Sequence, residues 1–175
     1  GKYRIFGETL DMGVGNFLDS FAGYLGLGLP GGPKIYELSL KAKNFVELPY
    51  VVKGMNISVS GMLTNLKQKF DSKKATKEDL SHSAQETVFA MLLEVAERAM
   101  AHCDKSELLL GGGVCCNKRL QEMSKQMCKD RNSKCFIPPN PVLVDNGVMI
   151  AWQGLLQFNA NGGDNLETLD IDPSE

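Results

Sequence analysis

The sequence is short of the residues that usually carry metal and redox chemistry. It has two histidines, His82 and His102, far apart in the chain, and so no His-Glu-x-x-His or other paired-histidine motif; this argues against a self-contained metalloprotease. Its five cysteines are odd in number, lack Cys-x-x-Cys spacing and include the adjacent pair Cys115 and Cys116, which cannot bridge to each other without strain. Free structural thiols in a reducing compartment fit better than a zinc site, with Cys103 and Cys128 placed among apolar helical positions. No apolar run reaches the roughly 18 residues needed to span a bilayer, and Gly1-Lys2-Tyr3-Arg4 lacks the shape of a signal peptide. A soluble protein with no membrane partner is expected. Charge of one sign is also lacking: the formal net charge is −2. Asp164, Glu167, Asp170, Asp172 and Glu175 give residues 164–175 an acidic tail without a base, expected to be poorly ordered, and leave a mildly basic body. That is too little for nucleic-acid binding by electrostatics alone. Two small basic runs, Lys67, Lys69, Lys73 and Lys74, then Lys125, Lys129, Arg131 and Lys134, read first as solvated helix faces.

What is present is enough for one compact domain. The chain has 175 residues, 43% hydrophobic and 23% charged, inside the globular range and outside that of a linker. Tyr3–Glu8 reads as a short strand, followed by Leu10, Val14, Phe17, Leu18, Phe21 and Leu25 at helical spacing. Gly28-Leu29-Pro30-Gly31-Gly32-Pro33 breaks the chain, and Pro33 is placed to open a helix over Ile35–Lys43. Leu48–Val52 and Ile57–Ser60 read as strands, and Gly61–Phe70 as a helix. The long helix through Val88, Met91, Leu92, Val95 and Met100 starts at Thr76 or Ser83, each the head of a capping pattern, and carries Glu94 and Arg98 as an i,i+4 pair. Leu108–Leu110 reads as a buried strand, Asn117 as the cap of a helix to about Asp130, Cys135–Ile137 as the last strand, and Asp145 as the cap of a helix over Gly147–Phe158. Strands alternating with helices imply an α/β domain with one central sheet.

Few local features suggest chemistry. Gly111-Gly112-Gly113 between a strand and a helix resembles a phosphate-cradling loop, because glycines let backbone amides approach an anion. It matches neither Gly-x-x-x-x-Gly-Lys-Ser/Thr nor Gly-x-Gly-x-x-Gly, and a tight strand-to-helix turn explains it equally well. Asn117 and Asp145 have ordinary readings as helix caps, and Gly32 as a turn glycine. Asp19 falls nearly opposite the apolar stripe of its helix, so it faces solvent or a cleft.

Taken in order, the segments Arg4-Ile5-Phe6-Gly7-Glu8-Thr9-Leu10-Asp11, Val46-Glu47-Leu48-Pro49-Tyr50, Ser58-Val59-Ser60-Gly61, Gln85-Glu86-Thr87-Val88-Phe89-Ala90-Met91-Leu92, Gly112-Gly113-Val114-Cys115-Cys116-Asn117 and Asp145-Asn146-Gly147 closely resemble the tRNA threonylcarbamoyltransferase family, also called TsaD, Gcp or O-sialoglycoprotein endopeptidase, in its archaeal and eukaryotic cytosolic branch. The resemblance runs over about residues 3 to 160. It implies a lobe of the actin, Hsp70 and hexokinase type (RNase H-like), a central mixed sheet flanked by helices, spanning residues 1–163 as the C-terminal lobe alone. It also implies transfer of threonylcarbamoyl from threonylcarbamoyl-AMP to the adenosine beside the anticodon of ANN-reading tRNAs, with ATP or threonylcarbamoyl-AMP as the nucleotide ligand.

The resemblance assigns nucleotide contacts to Asp19, Gly32, Tyr36 and Asn117, with Gly112 and Gly113 lining the phosphates. At Tyr36 many family members have an acidic or small polar residue near the ribose, so this chain departs from the pattern there. Asp145 matches an aspartate that, with a histidine pair on the other lobe, holds one divalent metal ion, iron or zinc; the site is incomplete within this sequence. The implied partners are tRNA and, in a KEOPS-type complex, a small atypical kinase with accessory subunits, in the cytoplasm and also the nucleus. No nucleophile triad is present, which leaves the older peptidase label without support and makes direct transfer the expectation. The chain alone is expected to be inactive and prone to self-association. The competing reading is a noncatalytic interaction domain of the same fold; a sugar kinase of the same superfamily fits the ordered motifs poorly.

Overall fold

The computed structural model describes residues 4–163; the acidic tail lies outside the described residues. The first helix, α1 (Val14–Tyr24), buries Val14, Phe17, Leu18, Phe21 and Ala22, the i, i+3, i+4, i+7, i+8 stripe of an amphipathic helix. It begins later than the periodicity suggests. Leu10 instead belongs to an extended segment, where its N–H donates to the Ile57 carbonyl (2.8 Å) and the Ile57 N–H donates to the Glu8 carbonyl (3.0 Å). The strand expected over Tyr3–Glu8 therefore reduces, among the described residues, to a single parallel bridge between Thr9 and Ile57.

The second helix, α2 (Gly31–Ser39), starts four residues before the expected Ile35, because Pro30 rather than Pro33 stands at its boundary. A hairpin follows, β1 (Val52–Lys53) with β2 (Asn56–Ile57), turning at Gly54 with φ +64°, a conformation glycine adopts without a Cβ penalty. α3 (Ser60–Asp71) follows. Its N-terminus is satisfied from a distance: the Asp11 carboxylate accepts from the Val59 N–H (3.0 Å) and the Ser60 N–H (2.9 Å). Against the cost of desolvation, these bonds and those from the Ser58 and Ser60 hydroxyls hold Asp11 well below the usual carboxylate range.

The core helix, α4 (Lys77–His102), is capped by Thr76, whose hydroxyl accepts from the Asp79 N–H (3.1 Å). Ser83, the other candidate start, is interior, donating to the Asp79 carbonyl (2.7 Å) and accepting from the Val46 N–H (2.7 Å). The Glu94 and Arg98 pair forms as expected. Leu80, Ala84, Val88, Phe89 and Met91 of α4 join Phe17, Phe21, Ile35, Met62 and Leu66 in one hydrophobic core.

Beyond α4, β3 (Glu107–Leu109) pairs in parallel with β4 (Lys134–Phe136) through a crossover made of a 3-10 turn (Gly113–Cys116) and α5 (Lys118–Asp130). Leu108 and Cys135 are half-buried, whereas Leu109 is 70% exposed and Phe136 47% exposed. Alternation along a strand puts these pairs on opposite faces, so the run Leu108–Leu110 is covered on one side only. The expected single central sheet is, among the described residues, two separate two-stranded sheets, since neither pair finds a third strand. A short α6 (Asn140–Leu143) and then α7 (Gly147–Asn161) complete the described chain. None of the α7 residues is buried, although Val148, Ile150, Trp152, Leu155 and Phe158 are large and apolar. No helix is long and apolar enough to cross a membrane among the described residues.

Candidate functional site

One cavity of about 700 Å³ opens where α1, the start of α2, the 3-10 turn, the start of α5 and α6 meet. That volume is in the range of small-molecule sites. Asp19, Gly32, Tyr36, Gly113 and Asn117 all line it, although they come from three segments far apart in sequence. The walls are mainly apolar, from Leu18, Pro30, Pro33, Tyr36, Val114 and Val144, and its charged lining residues are Asp19 and Lys118.

The α2 wall follows from its first three residues. A helix start leaves about four backbone N–H groups without intrahelical partners, but Pro30 at the cap and Pro33 in the first turn carry none. The Gly31 N–H donates to Asp19 Oδ1 at 2.6 Å, so Asp19 caps α2 from the neighbouring helix. Of these, the Gly32 N–H is left without a partner among the described residues. An added Cβ at Gly32 would meet nothing within 4 Å, whereas at Gly31 it would sit 2.6 Å from the Ala22 Cβ and 2.7 Å from the Asp19 Cα. Gly31 is thus required for close helix contact, and Gly32 leaves open room at the cavity. Asp19 is half-buried at the cavity and spends one oxygen on this contact.

The opposite wall is built on Asn117. Its Oδ1 accepts from the Arg119 N–H (2.8 Å) and the Leu120 N–H (3.3 Å), which makes it the expected cap of α5. Its Nδ2 donates to Gln85 Oε1 of α4 (3.0 Å). Arg119 then ties α5 to α4 through a two-pronged contact with Glu86, Nε to Oε1 at 2.6 Å and an Nη to Oε2 at 2.7 Å. The capping expected of Asn117 and its place in the cavity are therefore compatible, because capping uses Oδ1 and leaves an amide hydrogen.

Two expected residues sit differently. Gly112 is not among the lining residues; it precedes the 3-10 turn with φ +91°, a region essentially reserved for glycine, and so aims Gly113 at the cavity. Asp145 does not cap α7. Asn146 does, its Oδ1 accepting from the Met149 N–H (3.0 Å), which leaves Asp145 exposed beside Val144 at the rim. No group of three or more His, Cys, Asp or Glu residues suited to a metal exists among the described residues. His82 packs edge-on against Phe45 and His102 lies tilted against Phe6; neither histidine joins Asp145 in such a group. Among the described residues, none joins Asp145 in a metal-ligating group.

Sequence reasoning missed Lys118, Asn140 and Cys116 on the cavity wall. Lys118 had a signal, its position one residue after a helix cap; Asn140 had none, because only the chain reversal after β4 brings it there. Burial pushes the Cys115 thiol, next to the cavity wall, up rather than toward the thiolate.

The family model described as tRNA N6-adenosine threonylcarbamoyltransferase matches residues 1–152. A curated protein of that name from Thermococcus kodakarensis is 54% identical over 158 residues, 90% of this chain and 49% of the relative. Its namesake from Archaeoglobus fulgidus is 55% identical over 157 residues, 90% of this chain and 48% of the relative. A "Probable bifunctional tRNA threonylcarbamoyladenosine biosynthesis protein" from Methanothermobacter thermautotrophicus is 52% identical over 167 residues, 95% of this chain and 31% of that protein. The chain spans about half the length of the curated transferases it matches. Among solved structures, that of HypF from T. kodakarensis aligns with a TM-score of 0.65 and 21% identity, over 84% of this chain and 20% of HypF. Full-length HypF in its phosphate- and nucleotide-bound form aligns with a TM-score of 0.66 and 16% identity, over 87% of this chain and 25% of that one. Those two are likenesses of fold.

Proposed function

The chain belongs to the tRNA N6-adenosine threonylcarbamoyltransferase family, and from that premise we propose that it is the nucleotide-holding lobe, of the actin, Hsp70 and hexokinase type, of such an enzyme. The observation that carries this reading is the convergence of Asp19, Gly32, Tyr36, Gly113 and Asn117 on one cavity. The substrate is threonylcarbamoyl-AMP, and the acceptor is the adenosine beside the anticodon of ANN-reading tRNAs. A bond forms between the adenosine N6 and the carbamoyl carbon, the bond from that carbon to the phosphate oxygen breaks, AMP leaves with the electron pair, and N6 gives up a proton.

The residues of this chain suit the leaving half of that exchange. The Gly32 N–H at the start of α2 and the Lys118 ammonium favour an anion by helix polarity and charge. Asn117 offers an amide hydrogen to an acceptor on the nucleotide, and the Tyr36 ring offers an apolar face to the sugar or base. Asp145 would supply one carboxylate to a divalent metal, iron or zinc, whose other ligands come from outside this chain. The same reading brings tRNA, a small atypical kinase and accessory subunits of a KEOPS-type complex as partners, in the cytoplasm and nucleus.

Calorimetric titration with AMP and ATP, repeated on Asn117→Ala, tests this proposal. Binding that is lost in the variant supports a nucleotide site at Asn117. A folded chain that binds neither nucleotide would favour a noncatalytic interaction domain of the same fold.

A further inference from the structure

Gln85 lies on α4, outside the cavity lining, and is 2% exposed. Both ends of its amide are engaged. Its Oε1 accepts from Asn117 Nδ2 (3.0 Å), and its Nε2 donates to Ser39 Oγ (3.0 Å). The Ser39 hydroxyl in turn donates to the Tyr36 carbonyl (2.6 Å). A chain of three hydrogen bonds therefore runs beneath the cavity from one wall, at Asn117, to the other, at Tyr36. Its direction is fixed by the cap: because Asn117 Oδ1 holds the Arg119 and Leu120 N–H groups, Asn117 can meet Gln85 only with Nδ2. Gln85 must then present Oε1 to Asn117 and Nε2 to Ser39, and reversing any amide would set two donors or two acceptors face to face.

We propose that Gln85 is the positioning residue of the nucleotide site: it orients the Asn117 amide so that its remaining hydrogen is offered to a ligand acceptor, and it holds the Tyr36 wall at a set distance across the cavity. This rests on the nucleotide reading above. It also states something about the ligand, which must bring an acceptor rather than a donor to Asn117: a ring nitrogen, a ribose oxygen or a phosphate oxygen.

The test is AMP affinity, by calorimetry, of the chain and of the variants Gln85→Met, Gln85→Glu and Gln85→Met with Asn117→Ala. Methionine has a similar unbranched length and neither hydrogen-bonding group, so its variant should bind about tenfold more weakly, the worth of a buried hydrogen bond lost at the site. A buried carboxyl keeps its proton and so keeps one acceptor and one donor; Gln85→Glu should stay within about threefold of the unaltered chain, well inside the effect of one lost hydrogen bond. Since Gln85 acts in part through Asn117, Gln85→Met should cost clearly less in the Asn117→Ala background than in the unaltered chain, only the Tyr36 wall remaining for it to position, whereas a residue serving only overall stability would act independently. Should Gln85→Met fail to fold, Ser39→Ala cuts the same chain at its other end, and a loss of about threefold or more is expected from the missing bond. Affinity unchanged in the folded variants, or losses that multiply in the double variant, overturns the proposal while leaving the nucleotide reading intact. An unaltered, folded chain that binds no AMP overturns the nucleotide reading, and the role of Gln85 falls with it.

Discussion

Substituting alanine at two neighbouring glycines should have opposite effects, and the difference can be worked out from the structure. Both Gly31 and Gly32 lie in the first turn of α2, so each gains about 0.5–1 kcal/mol from the lower conformational entropy of alanine in the unfolded chain. That gain is common to both. The methyl of Gly32→Ala meets open space, but that of Gly31→Ala lands 2.6 Å from the Ala22 Cβ, 2.7 Å from the Asp19 Cα and 2.9 Å from Asp19 Oδ1. Carbon atoms in contact prefer about 3.5–4.0 Å, and two of the three clashing atoms belong to groups with no flexible end to swing away. α2 must back off α1 by about 1 Å to restore that spacing, stretching the 2.6 Å bond from the Gly31 N–H to Asp19. Overpacking of this kind costs about 1–3 kcal/mol, and since the propensity gain cancels, that range is also the expected difference between the two variants. Urea unfolding followed by circular dichroism measures it. AMP titration adds a second axis: Gly32→Ala, although as stable as the unaltered chain or more so, should bind less well because its methyl occupies the cavity. Equal unfolding free energies for the two variants would refute the packing argument.

Three other outcomes are expected. Asp79 accepts from the Asn44 N–H (2.9 Å) and the Lys43 N–H (2.8 Å), contacts that bring it down to about 2; its contribution is therefore complete above the ordinary carboxylate value and lost as pH falls through about 2. Asp79→Asn should lower the unfolding midpoint at neutral pH, and the gap from the unaltered chain should close as pH is lowered from about 4 toward 2; a constant gap would count against the linkage. Arg119→Lys removes the two-pronged contact with Glu86 but keeps the charge, and because Arg119 is 40% exposed the loss should be modest, about 0.5–1 kcal/mol by denaturant unfolding. The apolar side chains of α7, with Val148 77% and Ile150 66% exposed, should drive the chain to self-associate; Ile150→Lys should lower the mass seen by light scattering at high concentration, and a monomeric unaltered chain would refute this.

Short-range features were legible in the sequence wherever one residue type had one local job. Asn117 reads as a cap and is one, Thr76, one of the two starts the pattern offered for α4, caps it, and the apolar stripe of α1 finds the core, because capping and 3.6-residue periodicity are settled within a turn or two of helix. The ordered motifs also carried the family, and five of the residues the resemblance singled out, Asp19, Gly32, Tyr36, Gly113 and Asn117, come together at the cavity, while Gly112 and Asp145 do not line it. Other assignments failed where a neighbour in sequence could do the same job: Asn146 caps α7 in place of Asp145, and Pro30 bounds α2 in place of Pro33.

What only the tertiary structure decided are the contacts made between distant segments. Asp11 satisfies the start of α3, Asp19 the start of α2, and Asp79 the loop at Lys43 and Asn44; in each case a carboxylate meets backbone donors at least twelve residues away, and no local pattern specifies the meeting. Gln85 is the sharpest instance. In sequence it is a polar residue inside a buried helix, and only the approach of α2 and α5 to that helix gives each half of its amide a partner. The cavity has the same origin: residue types set what each wall can offer a ligand, while the packing of α1, α2 and α5 sets where those offers converge.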